Sequence, residues 1–155
     1  NKFNSKQTPI KLSNIGEILG DSIKKSISTI LSIGGFIVLF SVILNILESS
    51  GILIILTSIL EKFGIAKSIS LSIITGIIEL TNGVNLSCGL YTTFPLFSIL
   101  LTSFLLGIGG LSVLLQVYSI ISKTDLSIKP YIVGKILHGF ISAFYTIILV
   151  YIFKI

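Results

Sequence analysis

The chain has no methionine, no arginine, a single cysteine, and few charges of either sign. The lone Cys88 excludes an intrachain disulfide and a cysteine-based metal site. Charged residues make up only 11% of the sequence against 52% hydrophobic, with a mean hydropathy of +1.05. A soluble domain of this length could not hide so much apolar surface, so a membrane protein is expected. A start at Asn1 with no methionine anywhere suggests a piece of a longer protein, cut at a loop. No cleavable signal peptide is visible, because the N-terminal stretch is polar and the first apolar run lacks a small-residue cleavage site. Also absent are a phosphate-binding loop ending in Gly-Lys-Ser/Thr, a zinc-protease helix, and a nucleophile with a plausible base. An enzyme is therefore not expected, and neither a cofactor nor a metal is called for.

What is present reads as an all-α polytopic domain. Residues 1–14 form a polar, basic tail or linker with Lys2, Lys6 and Lys11, and Pro9 discourages a continuous helix there. Residues 15–155 form the helical domain. From Ile15 to Leu31 the apolar positions recur every three or four residues, predicting an amphipathic helix along the membrane surface. Ile27 to Leu47 is long enough to span the hydrocarbon, with Gly34 and Gly35 marking a bend or a close contact. Gly51 to Leu60 and Ile69 to Leu80 are shorter than a comfortable span and fit broken or re-entrant helices. The run from Phe94 to Ile121 is divided at Gly107-Ile108-Gly109-Gly110, and Tyr131 to Phe153 gives a final span. About five membrane segments result.

Lysine placement bears on orientation, since cytoplasmic loops hold positive charge. With the N-terminus cytoplasmic and five crossings, every lysine except Lys154 falls on or near that side, including Lys24, Lys25, Lys62, Lys67, Lys123, Lys129 and Lys135. The outward loop from Thr81 to Pro95 would carry no charge. The net charge of +5 follows from this dispersion of lysines, and no basic, aromatic-studded surface for nucleic acid is present.

Against this apolar background stands Glu79-Leu80-Thr81-Asn82-Gly83-Val84-Asn85. A carboxylate and two amides are expensive in hydrocarbon, which places them beside a protein-enclosed cavity. Gly76 to Thr81 can be laid over Gly107 to Ser112, and paired interruptions of this kind point to a transporter's central site, although the match is a few common residue types. The expected helix breaks are Gly76, Gly83, Gly107, Gly109 and Gly110. A helix restarting at Leu111 or Ser112 would aim backbone N–H groups at the cavity, favouring a carboxylate or phosphate. Glu79 either binds a coupling proton, a cation or a substrate donor, or sits paired at a helix end. Thr81, Asn82 and Asn85 either orient substrate or satisfy unwound backbone as turn residues. Ser112 and Gln116 would share the cavity, Gln116 alternatively joining helices. Lys135 and His138 lie three apart on one helix face and would attract an anion, unless Lys135 snorkels to the interface. Cys88 reads as a small loop residue.

The run Ile74 to Gly83, followed by Gly109 to Val117, resembles the C-terminal half of the sporulation integral membrane proteins of the nucleoside-recognition, or gate-domain, group. Leu19 to Ile23 and Gly34-Gly35-Phe36 look like that domain's first helices. The resemblance runs from about Ile15 to Tyr151. It implies a multi-pass protein of spore-forming bacteria, in the outer forespore membrane, associated with movement of dipicolinate out of the mother cell. It also implies distant kinship with concentrative nucleoside transporters. The function expected is thus a permease for a small polar, anionic metabolite. The alternatives are a non-transporting scaffold, a gate subunit of another transport complex, and nucleoside transport. The partners expected are the lipid bilayer, a small-molecule substrate, the missing N-terminal half of the same chain and, as an open alternative, a second copy.

Overall fold

The computed structural model describes residues 15–122 and 124–154. The tail over 1–14 and Lys123 lie outside the described residues. Every regular element within them is an α-helix: α1 (Ile15–Ser49), α2 (Ile52–Glu61), α3 (Lys67–Ile78), α4 (Leu80–Gly89), α5 (Pro95–Ile108), α6 (Gly110–Ile121) and α7 (Lys129–Phe153). The breaks between them fall where the residue types demand. Gly51 and Gly64 take left-handed backbone at φ +76° and +81°, which bounds α2 on both sides. Proline in the first turn opens α5 and α7, where its missing N–H costs nothing.

The chain divides into two units, residues 1–34 and 35–155. In the first, the apolar side chains Ile15, Ile18, Leu19, Ile23, Ile27, Ile30 and Leu31 are all exposed. The expected surface helix does not end before a separate span, because α1 runs through both stretches as one helix. Gly34 and Gly35 stay helical, and among the described residues nothing lies within 4 Å of a Cβ at Gly35, so the close contact expected there is not formed.

The second unit is built inside out by the standard of a soluble domain. Among its described residues the buried apolar side chains are Phe40, Leu44, Leu53, Ile69, Leu101 and Leu105, while eight polar ones are buried, seven of them Ser or Thr. Small hydroxyl residues permit close helix approach and supply hydrogen bonds, as at helix contacts in lipid. Ser87 and Ser98 exchange bonds between α4 and α5, each hydroxyl donating to the other's carbonyl at 3.2 and 2.7 Å. Ser103 and Ser142 meet at 2.7 Å between α5 and α7, and Thr146 Oγ1 donates to Ser103 Oγ. Phe104 and Phe140 stack edge to face across the same contact.

By length and composition, three stretches among the described residues could cross a membrane: Ile15–Ser49, Pro95–Ile121 taken across Gly109, and Lys129–Phe153. The helices α2 and α3 are apolar but shorter. The expected outward loop from Thr81 to Pro95 is corrected, since α4 occupies most of it and buries Gly83 and Ser87 against its neighbours.

Candidate functional site

Two junctions, each one residue wide, separate consecutive helices. Glu79 stands alone between α3 and α4 in extended backbone, φ −139° and ψ 117°. Its Oε1 accepts the Thr81 N–H at 3.0 Å and its Oε2 the Asn82 N–H at 2.7 Å. Both carboxyl oxygens therefore cap the first turn of α4, satisfying N–H groups that a helix start leaves orphaned. The residue is 1% exposed, and the cap reconciles a carboxylate with that burial. Thr81 contributes its backbone, while its side chain is exposed. The polar run Leu80–Asn85 is helical, not an unwound stretch.

The junction between α5 and α6 is made by backbone alone. Gly109 and Gly110 take φ +86° and +66°, the left-handed region that side chains avoid. The two junctions touch: a Cβ at Gly110 would lie 2.7 Å from the Gly76 carbonyl oxygen and 3.5 Å from Leu80 N.

Three of the glycines expected at breaks lie inside helices instead. A Cβ on Gly83 would overlap the Cα of Gly76, so the pair lets α3 and α4 pack backbone to backbone. A Cβ on Gly107 would come within 2.6 Å of Gly139 Cα, the equivalent device between α5 and α7. The physical reason is shared: a residue without a side chain serves close approach as well as it serves a break.

Asn82 and Asn85 project from α4 into a cleft of about 240 Å³, shared with Ser41, Asn45 and Glu48 of α1 and Thr75 of α3. Asn82 Nδ2 donates to Ser41 Oγ at 2.9 Å, which leaves its Oδ1 free. Thr75 is 5% exposed, and among the described residues its hydroxyl has no partner. Among the described residues the side chains of Asn45, Glu48 and Asn85 likewise make no hydrogen bond, and all three are exposed. The arrangement offers amide and hydroxyl donors, several oxygen acceptors and one carboxylate to whatever enters, and no basic side chain. Ser41, Asn45 and Glu48 were not among the residues singled out from sequence. Their signal is a spacing of four and three in an otherwise apolar run, which places all of them on one helical face.

The remaining expected site residues do not join this cleft. Ser112 is buried at 1% exposure, and among the described residues its hydroxyl has no partner. Gln116 is half-buried, and its backbone carbonyl accepts from Ser119 Oγ at 2.7 Å. Lys135 lines a separate, mostly apolar cleft of about 170 Å³ with Gly110, Leu111 and Tyr131, its chain lying over Gly109. His138 is exposed on α7 and does not line that cleft. Cys88 lies in α4, not in a loop. Among the described residues no group of His, Cys, Asp or Glu is placed to hold a metal by number.

No family model and no solved structure matches the chain. The sporulation integral membrane protein YlbJ of Bacillus subtilis (strain 168) is similar to it, with 33% identity over 139 residues, covering 87% of this chain. The chain spans 34% of the length of that curated relative.

Proposed function

This chain is a homologue of a sporulation integral membrane protein, and from that premise we propose that it is a permease-type membrane domain passing a small polar metabolite through the cleft between α1, α3 and α4. The observation that carries the reading is the convergence of Ser41, Asn45, Glu48, Thr75, Asn82 and Asn85 on one cleft in so apolar a chain. Unpartnered polar side chains are costly in a membrane unless a solute or water meets them.

In this reading the domain has five membrane segments: α1, the short α2, α3 with α4, α5 with α6, and α7. Both pairs are interrupted helices, broken at Glu79 and at Gly109–Gly110, and irregular backbone at membrane depth is tolerated where protein shelters it. Glu79 holds the first junction, its two oxygens being committed to the α4 cap. The N-terminus is cytoplasmic, and the membrane is the outer forespore membrane that the sequence resemblance implies. Dipicolinate, implied by the same resemblance, is the first solute to test. A nucleoside is the second, favoured by the amides of Asn45, Asn82 and Asn85 and the lack of a lysine in the cleft.

The test is uptake of labelled dipicolinate, and separately of labelled uridine, into vesicles carrying the full-length protein. Wild-type uptake should saturate, and Asn45→Ala with Asn82→Ala should lower it by about tenfold or more at equal protein level, as for the loss of one or two hydrogen bonds. Uptake of neither solute above empty vesicles, or uptake indifferent to both substitutions, would overturn the reading.

A further inference from the structure

We infer that the polar cleft holds a singly charged cation at Glu48, either an alkali-metal ion or the ammonium group of a solute. The inference rests on the reading of this cleft as a solute site and specifies what binds there.

Glu48, exposed near the end of α1, is the one charged side chain among the groups lining the cleft, which it shares with Asn45 of the same helix, Thr75 of α3 and Asn82 of α4. The free groups available to a ligand include oxygen acceptors throughout: the Asn82 Oδ1 left over from its bond to Ser41, the Thr75 hydroxyl, and the Asn45 amide oxygen. A carboxylate accepts hydrogen bonds and donates none, so its natural complement is a cation or a donor-bearing group. One carboxylate balances one positive charge. The neutral oxygens that line the same cleft suit a hard cation or the hydrogens of an ammonium group.

The backbone adds to the same field. Glu48 lies in the last turn of α1, which contains no basic residue, so the negative end of that helix dipole is uncompensated beside the carboxylate. The opposing positive end, at the start of α4, is already met by Glu79. Thr75, 5% exposed, adds a hydroxyl to the lining of the same cleft.

The rival for Glu48 is Lys67, which lines an adjoining cleft with Glu48, Leu53 and Thr57. No ion pair joins the two among the described residues. Lys67 is thus a competitor for the carboxylate, not its resident partner.

The experiment is equilibrium binding of radiolabelled sodium, and separately of radiolabelled methylammonium, to the purified full-length protein. The inference expects one of the two to bind saturably, with affinity about tenfold or more lower in Glu48→Gln, as for a lost charge-assisted contact. Thr75→Val should weaken the same binding, Glu61→Gln should leave it unchanged, and Lys67→Gln should bind at least as tightly as wild type. Elution of Glu48→Gln at the wild-type volume would show that the variant is folded. Sodium binding alone identifies an alkali-ion site; methylammonium binding alone identifies recognition of a solute's ammonium group. Saturable binding of neither, or binding unaltered in Glu48→Gln, overturns the inference. Cation binding without solute uptake would sink the permease reading and leave this one standing, whereas uptake with no cation bound would do the reverse.

Discussion

The two junctions interrupt their helices by opposite means. At Glu79 a side chain does the work, its carboxyl group capping α4 while its backbone is extended and unstrained. At Gly109–Gly110 the backbone does it, in a conformation that a Cβ opposes, and no side chain caps α6. A junction made by a cap can be weakened by degrees, because each oxygen removed costs one bond. A junction made by glycine is intolerant of bulk, more so at Gly110, whose missing Cβ makes room for the Gly76 carbonyl oxygen.

The sharpest way to break this comparison is at the contact glycines, where the effect should be largest. Gly83→Ala places a Cβ on the Gly76 backbone, which no rotamer change can relieve, so a loss of about 3 kcal/mol or more is expected. Thermal unfolding in detergent would read it, and a stable Gly83→Ala would mean that α3 and α4 pack differently. Next comes Glu79→Ala, which strips both acceptors from the α4 start and should cost about 2 kcal/mol, with Glu79→Gln milder because its amide keeps one acceptor. Equal losses in the two variants would show that the cap is not what holds the junction.

Gly109→Ala should cost about 1 kcal/mol from left-handed strain, since its near neighbour is the flexible end of Lys135. Gly110→Ala should exceed it, as its near neighbour is backbone. The smallest effect is expected at Ser112→Ala. Removing a buried hydroxyl that has no partner should be neutral or stabilising, by up to about 1 kcal/mol. A clear loss there would reveal a partner for Ser112 in the folded protein.

The membrane character was legible from composition, and both junctions coincide with residues that stand out in the sequence, a carboxylate and a glycine pair. Other features were hidden for identifiable reasons. Gly76, Gly83 and Gly107 could not be told from breaks, because their partners across the helix contacts are set only by packing. The run from Thr81 read as a loop because its asparagines and glycine are poor helix formers, yet the Glu79 cap and the hydroxyl contacts of Ser87 hold it helical. Ser41, Asn45 and Glu48 were passed over because each alone is unremarkable in a long apolar helix. Lys135 and His138 share a side of α7, but packing half-buries the first and leaves the second exposed.

The most direct test of a water-filled solute cleft within a lipid-facing shell is chemical accessibility. In full-length protein freed of native cysteines, Asn45→Cys in the cleft should react with a membrane-impermeant thiol reagent in intact membranes. Leu137→Cys, 57% exposed on α7, should not react, because lipid covers it. An inert Asn45→Cys, or a Leu137→Cys that reacts as fast, would contradict the account.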